Sequence, residues 1–277
     1  MIEYKDIIKK PPLPFLGAKS RAIRSIYEHF KDIDLNDCII IDLFGGSGLL
    51  ANMFKQMYPE STVIFNDFDN YKDRIDRMEE TKEQFEYIWH KLNEIHKYDF
   101  SVYKKPKLTK EQLKVFNEYV KNLPDTADKI TIYSKFNFRG CFSTNPDLNT
   151  RYVANKSGTI EIKKFKDYLK GVEVVSEDYK NIMNKPKYNK QTENKKIIYL
   201  LDPPYSHTSQ HLYKGQFTLK DTMDLIKNIK DNYFVFFSSE ASSGSEYFEY
   251  NYSRPYKKVE YSARCSAPEM FYTNITN

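Results

Sequence analysis

Short apolar runs recur along the chain, separated by stretches with the spacing of amphipathic helices. The runs that predict strands lie at residues 38–44, 62–66, 172–175, 197–201 and 233–238. Uninterrupted apolar runs of this length are typical of buried parallel strands covered on both faces. Helical spacing occupies residues 19–30, 48–57 and 219–229. This alternation predicts an α/β fold with a Rossmann-like, doubly wound and mostly parallel sheet.

The last part of the chain has a different pattern. Residues 256–262 and 269–274 form two further strand-like runs with a short turn between them. Strands joined by a short turn pair in the antiparallel direction. We therefore predict a C-terminal antiparallel hairpin at one edge of the sheet.

A long segment at residues 71–170 interrupts the alternation of strands and helices. Its stretches 82–97 and 109–123 have helical spacing, whereas its second half is rich in Asn, Thr and Lys and predicts loops. We therefore expect two domains. Residues 1–70 and 171–277 would form the first, and residues 71–170 an inserted, mainly helical domain.

Positive charge is concentrated in this insertion. Residues 97–166 contain 15 Lys and Arg against 7 Asp and Glu, a net charge of +8. The whole chain has a net charge of +5, so the remainder carries −3. A charged stretch is usually a solvated surface, but its concentration in one insertion makes nucleic-acid binding an equal alternative.

Several classes of protein are excluded by composition. No apolar run approaches the roughly 18 residues of a membrane-spanning helix, and the first ten residues lack the apolar centre of a signal peptide. Cys38, Cys141 and Cys265 lie far apart, without the spacing of a disulfide scaffold or a zinc site. We expect a cytoplasmic protein with reduced thiols, no metal and no membrane contact.

Glycine is scarce, and four of the nine glycines fall in two short segments. Gly17 lies in PFLGAK, and Gly45, Gly46 and Gly48 lie in DLFGGSG, directly after the first predicted strand. A glycine turn between a strand and a helix lets a ligand approach the backbone and the helix N-terminus. Neither segment has the P-loop pattern, and Ala51 stands where a dinucleotide fingerprint has its last small residue. The glycines alone do not identify the ligand.

Acidic residues at strand ends narrow the choice. The second strand ends in NDFD, where Asp67 has the position of an acid that accepts hydrogen bonds from ribose hydroxyls and Phe68 could stack on adenine. Asp42 ends the first strand, where a carboxylate could hold an amino group. S-adenosyl-L-methionine has such a group and NAD does not. The alternative is an ordinary strand-end turn with surface acids.

A motif of four residues, Asp202-Pro203-Pro204-Tyr205, follows the fourth predicted strand. Two prolines cannot continue a strand ladder and instead form a rigid turn. The turn would fix a carboxylate, backbone carbonyls and an aromatic ring at the strand end where ligands bind in open α/β sheets. This combination suits a planar base with an amino group, although a turn that only ends the strand has the same pattern.

In the order PFLGAK, DLFGGSG, NDFD, basic insertion and DPPY, the sequence resembles the Dam-like DNA adenine methyltransferase family. The closing EMFYTN is similar to that family's final strand, and the resemblance covers residues 13–70 and 172–274. It implies a site-specific enzyme that transfers a methyl group from S-adenosyl-L-methionine to the amino group of a flipped-out adenine in double-stranded DNA. We expect a monomer in solution.

Roles for individual residues follow from the resemblance and from the strand ends. The expected cofactor-binding residues are Phe15, Lys19, Asp42, Phe44, Gly46, Gly48, Asp67, Phe68, Asp178 and Asp202. The expected catalytic residues are Lys19, Asp202, Pro203, Pro204 and Tyr205, and the expected DNA contacts are Arg139 and Phe217. Arginine reads guanine with two hydrogen bonds, but a phosphate contact or a structural role for Arg139 is an equal alternative.

The expected chemistry uses position rather than a side-chain nucleophile. The carboxylate of Asp202 and the carbonyl of Pro203 would accept the two amino hydrogens, and Tyr205 would stack on the flipped base. Three alternatives remain open from the residues alone. They are an RNA adenine methyltransferase, a DNA cytosine amino-methyltransferase, and a catalytically silent nucleic-acid-binding protein with the same fold.

Overall fold

The computed structural model describes residues 2–96, 109–136, 142–144, 160–185, 195–204, 217–262 and 268–276. The chain divides into two compact units. The first comprises Met1–Pro11, Gly17–Tyr71 and Leu169–Asn277, and the second comprises Pro12–Leu16 and Lys72–Tyr168. The segment Pro12–Leu16, which the sequence analysis assigns to the first domain, thus clusters with the second unit.

A seven-stranded sheet forms the centre of the first unit, as far as the described residues show. Its strands are β1 Cys38–Asp42, β2 Thr62–Asn66, β3 Val172–Val175, β4 Lys196–Leu201, β5 Tyr233–Ser239, β6 Lys257–Ser262 and β7 Glu269–Thr273. The order across the sheet is β3-β2-β1-β4-β5-β7-β6. Strands β1 to β5 pair in parallel, and β7 runs antiparallel to both β5 and β6. The predicted mostly parallel sheet with a C-terminal antiparallel hairpin is confirmed.

The described helices lie between the strands and in the second unit. They are α1 Ile23–Phe30, α2 Leu49–Met57, α3 Tyr71–Asp76, α4 Met78–His96, α5 Lys110–Lys121, α6 Lys129–Phe136, α7 Ile162–Phe165, α8 Tyr179–Asn184, α9 Leu219–Asn228 and α10 Ser243–Asn251. A short 3-10 turn at Tyr4–Asp6 precedes them. Helices α5 and α9 each begin with a capping box, in which a Thr hydroxyl and the side chain three residues later satisfy backbone N–H groups.

Strands β1, β2, β4 and β5 are buried along most of their length. Their side chains join the facing helices in one hydrophobic core that includes Ile41, Tyr199, Leu201, Leu225 and Phe236. Parallel strands with both faces covered must be apolar on both faces, which explains the uninterrupted runs. This core holds the C-terminal strand ends in fixed relative positions.

Strand β3 departs from the prediction of a buried strand. Every residue of β3 is partly or fully exposed, and Val174 is 38% exposed. The strand occupies the sheet edge and pairs only with β2 among the described strands. An apolar run of four residues does not distinguish an edge strand from a central one, because the pattern carries no information on strand order.

The second unit is helical in its described part. Its core contains Phe85 and Trp89 of α4, Phe116 of α5, and Ile132 and Phe136 of α6. The prediction of loops throughout the second half of the insertion was wrong, because α6 and α7 lie there. The sequence of α6, KITIYSKF, is rich in β-branched and aromatic residues that disfavour helices locally. Burial in this core overrides that local preference.

Candidate active site

The order of the strands places a switch point between β1 and β4. Strand β1 has β2 on one side and β4 on the other, and all three run in parallel. The chain therefore leaves the C-terminal ends of β1 and β4 in opposite directions, which opens a crevice between these two strand ends. Asp42 ends β1 and pairs in register with Leu200, two residues before Asp202. The two acids lie at the ends of adjacent strands.

The glycine turn after β1 is shaped by close backbone approach. Gly48 has a φ of 67° and precedes α2, and its N–H donates to the carbonyl of Gly45 at 2.7 Å. A Cβ on Gly45 would lie 2.2 Å from the buried ring of Phe65. Gly46 also has a positive φ, of 51°. The turn places the N-terminal end of α2 beside the C-terminal end of β1, as a glycine-rich ligand-binding turn does.

Asp42 is buried at the end of β1. Its side chain accepts a hydrogen bond at Oδ2 from the Ala51 N–H at 3.2 Å, and the residue is 1% exposed. Among the described residues, nothing donates to Oδ1. Burial raises the pKa of Asp42 to about 7, the charge of Asp202 adds to this, and the Ala51 N–H and Lys19 oppose it. A buried acceptor in this state can bind a cationic or N–H donor group.

Lys19 and Asp202 form a largely buried ion pair. The Nζ of Lys19 lies 2.6 Å from Oδ2 of Asp202, and the two side chains are 10% and 18% exposed. The same ammonium donates to the Gly17 carbonyl at 3.1 Å and lies 6.0 Å from the ring centroid of Phe237. Burial raises the pKa of Asp202, Lys19 opposes the rise, and the charge of Glu269 adds to it. The pair fixes one carboxylate oxygen at the end of β4.

The proline turn after β4 is described only in part. Pro203 is buried and Pro204 is partly buried, so the carbonyls beside Asp202 belong to a rigid segment. Tyr205 lies outside the described residues, and so does Arg139 of the insertion. Their expected roles stay predictions.

Asn66 connects the ends of β1, β2 and β3, a role that the sequence analysis missed. Its Nδ2 donates to the carbonyls of Leu43 and Glu177 at 3.0 and 2.9 Å, and its Oδ1 accepts from the Glu177 N–H at 3.0 Å. The residue is 1% exposed. A polar residue at the last position of an apolar strand is the feature that could have indicated it.

Asp67 and Phe68 come directly after Asn66, at the end of β2. Asp67 is 4% exposed, and its Oδ1 accepts from the Tyr71 N–H at the start of α3 at 2.6 Å. Its own N–H donates to the Val175 carbonyl at 2.7 Å, which ties the end of β2 to the end of β3. Phe68 is 41% exposed beside it. An exposed ring next to a fixed acid is compatible with the predicted adenosine contact, which stays a prediction.

Three aromatic rings pack together beyond the strand ends. Phe44 lies 5.1 Å from Tyr179 and 5.4 Å from Phe217, centroid to centroid, and Tyr179 lies 5.7 Å from Phe217. Phe217 is 6% exposed, so its described contacts are with protein rings, and its DNA contact stays a prediction. Tyr179 was not anticipated. Asp178 is exposed and caps α8 by accepting from the Lys180 N–H at 2.8 Å.

The structure therefore brings Lys19, Asp42 and Asp202 together electrostatically, with Gly46 and Gly48 in the turn after Asp42. Phe15 lies in the segment that clusters with the second unit. There, the carbonyl of the preceding Pro14 accepts from Arg74.

Comparison with known proteins shows the family of the chain. Residues 15–265 match the family described as D12 class N6 adenine-specific DNA methyltransferase. A Haemophilus influenzae protein named "Putative methyltransferase" is 31% identical over 257 residues, which cover 89% of this chain and 81% of that protein. The family match spans well over half of the chain and includes every strand of the sheet up to β6. The chain belongs to the D12 class of N6 adenine-specific DNA methyltransferases.

Proposed function

We propose that Asp42 and the glycine turn hold the methionine end of S-adenosyl-L-methionine, the methyl donor that the family implies. The residues fit this group. Oδ1 of Asp42 is a buried acceptor, unsatisfied among the described residues, and the ligand's ammonium would satisfy it. The turn has no side chain at Gly45, Gly46 and Gly48, so the backbone can approach the ligand closely. Asp67 and Phe68 would hold the adenosine end.

The residues after β4 would bind the target adenine. When bound, the cofactor supplies an electrophilic methyl group on a sulfonium. Oδ1 of Asp202 and the carbonyl of Pro203 would accept the two amino hydrogens of adenine. These contacts draw the amino nitrogen toward tetrahedral geometry and direct its lone pair away from the ring, so catalysis rests on position and electrostatics.

Lys19 would keep Asp202 ionised and correctly turned. Burial favours the protonated form of Asp202, and a protonated carboxyl would have one acceptor fewer for the amine. The ammonium at 2.6 Å counteracts this and holds Oδ2, leaving the other oxygen for the base. This ion pair beside the buried Asp42 is the observation that carries the proposal.

We further propose that the substrate is double-stranded DNA and that the target adenine is flipped out of the helix. A base inside a duplex cannot reach an acid buried at a strand end. The second unit and the net charge of +8 at residues 97–166 would bind phosphates. No described helix is long and apolar enough to cross a membrane. A monomeric state and a cytoplasmic location stay predictions.

Labelled methyl transfer to unmethylated duplex DNA tests the proposal. The purified chain is incubated with the labelled cofactor and DNA, and the product is digested to nucleosides. We expect the label in N6-methyladenine alone, restricted to one sequence context. Label in cytosine, or preferential labelling of RNA offered in parallel, would overturn the substrate assignment.

A second arm separates catalysis from binding alone. Asp202→Asn keeps the side chain's shape and removes its charge. We expect it to bind the cofactor within about threefold of wild type and to transfer almost nothing. Cofactor binding without transfer by the wild-type protein on varied duplexes would favour a silent DNA-binding protein.

A further inference from the structure

A second buried ion pair lies in the helical unit, outside the site described above. Nε of Arg74 on α3 lies 2.9 Å from Oδ2 of Asp128, and the two side chains are 8% and 3% exposed. Nη2 of Arg74 donates to the Pro14 carbonyl at 2.9 Å and to Oγ1 of Thr131 at 3.3 Å. The guanidinium therefore joins three separate parts of the unit.

The partners of Arg74 are themselves held in place. Oγ1 of Thr131 donates to the same Asp128 carboxylate oxygen. The Asp128 N–H donates to Oγ1 of Thr81, which in turn donates to the Arg77 carbonyl at 2.7 Å. Thr81 and Thr131 are fully buried. A network with these contacts has little freedom to rearrange.

Pro14 belongs to the N-terminal segment Pro12–Leu16 and brings that segment into the network. Leu16 is joined by a peptide bond to Gly17, and two residues later Lys19 forms the ion pair with Asp202. The bond to Pro14 therefore fixes the chain five residues before Lys19. Two prolines at positions 12 and 14 limit its freedom further.

We propose that Arg74 is a positioning residue for methyl transfer, acting through the Pro14 carbonyl on the segment that ends in Lys19. The inference rests on the proposed role of Lys19 and Asp202. Arginine is needed because its planar fork donates in several fixed directions at once. A lysine at this position keeps the charge opposite Asp128 but cannot maintain the same directed bond to Pro14.

Two variants separate positioning from structural support. Arg74→Lys is expected to lower kcat at least about tenfold, because a misplaced catalytic group costs transition-state stabilisation. The KM values for DNA and for the cofactor should stay within about threefold. Thr131→Val removes the hydroxyl that bonds to Arg74 and Asp128 and leaves the Pro14 bond, so its kcat should stay within about twofold. Rates are expressed per cofactor-binding site, so any unfolded fraction does not count.

Hydrogen exchange gives a readout that does not depend on activity. In Arg74→Lys, the backbone amides of residues 13 and 15–19 should exchange about tenfold faster than in wild type, whereas Thr131→Val should leave them unchanged. Unchanged exchange or unchanged kcat in Arg74→Lys would overturn the inference, and so would equal losses in both variants. Wild-type protein that transfers no methyl group would instead refute the proposed function, and the exchange result would still decide whether Arg74 holds this segment.

Discussion

Two clusters of buried charged side chains differ in how many of their polar atoms have a hydrogen-bond partner. In the helical unit, Arg74 and Asp128 share a network in which, within the described residues, neither side chain has a buried atom without a hydrogen-bond partner. At the C-terminal ends of β1 and β4, Asp42 has an oxygen without a donor among the described residues, and burial raises the pKa of both Asp42 and Asp202. Both clusters contain ionisable groups withdrawn from water.

The difference indicates what each cluster is for. A buried polar group without a partner costs about 1–3 kcal/mol, so a fold retains one only where something else compensates. Satisfied networks hold elements in register, and unsatisfied ones with shifted pKa values are typical of sites that complete themselves with a ligand. We therefore expect the helical network to hold its elements in place, the segment around Pro14 included, and the C-terminal ends of β1 and β4 to form the reactive site.

Loss of the Asp202 charge should have the largest effect. Asp202→Asn is expected to lower kcat about 100- to 1,000-fold, because the variant removes the charged acceptor for the developing positive charge on the amine. Single-turnover transfer of labelled methyl groups measures it. Asp231→Asn is the matched control, since Asp231 pairs with Arg254 at the exposed surface before β5; its rate should stay within about twofold. Equal rates for wild type and Asp202→Asn would remove Asp202 from the mechanism.

Loss of a partner in the satisfied cluster should affect stability instead. Asp128→Asn leaves the Arg74 guanidinium buried without a counter-charge, which costs about 3–5 kcal/mol in buried pairs. Urea unfolding of the cofactor-free protein measures this loss. A stability equal to wild type would show that the helical network is not architectural and would weaken the comparison.

His29 tests the smallest effect, away from both clusters. Its Nε2 lies 3.0 Å from the Ile275 carbonyl, and its Nδ1 is buried without a partner among the described residues. Burial lowers the pKa of His29. The stability contributed by neutral His29 is therefore full above about pH 6.5 and is lost as pH falls below it.

The His29→Phe variant isolates the pH-dependent stability that His29 contributes. It removes the titration and keeps the edge contacts with Phe30 and Phe271. The stability advantage of wild type over His29→Phe should shrink between pH 7 and pH 5, measured by thermal unfolding at each pH. A constant difference would mean that His29 does not titrate in this range.

Much of the first unit was predictable because its strands are short, apolar and followed by chemically distinctive turns. Strands β1, β2 and β4 lie within one or two residues of the predicted limits. The edge position of β3 and the helical state of α6 were not predictable, because both depend on which elements pack against them.

The site likewise contains residues that the sequence predicts and residues that it does not. Asp42, Lys19 and Asp202 were predictable because they lie in short motifs with characteristic residues and spacing. Asn66 and Tyr179 act through contacts with residues distant in sequence, and the pair of Arg74 and Asp128 spans 54 positions. Burial, pKa shifts and unsatisfied atoms are properties of the folded chain, and no local pattern contains them.

Substitution of Asp42 gives the most direct test of the claim that the cluster of Lys19, Asp42 and Asp202 binds a ligand. Because its folded-state pKa is raised to about 7, its contribution to stability is full below about pH 4 and is lost as pH rises through 7. Asp42→Asn should therefore stabilise the cofactor-free protein at pH 8, by about 1–3 kcal/mol after allowing for the unpaired amide of the new side chain.

The decisive measurement is calorimetric titration of S-adenosyl-L-methionine into wild type and Asp42→Asn at pH 6 and pH 8. Wild-type affinity relative to that of the variant should rise about tenfold between these pH values, because Asp42 with a pKa of about 7 becomes ionised, whereas titration of the ligand's own amino group affects both proteins alike. The variant should bind about 10- to 100-fold more weakly than wild type at pH 8. A variant that is less stable than wild type without cofactor, yet binds it equally well, would contradict the account.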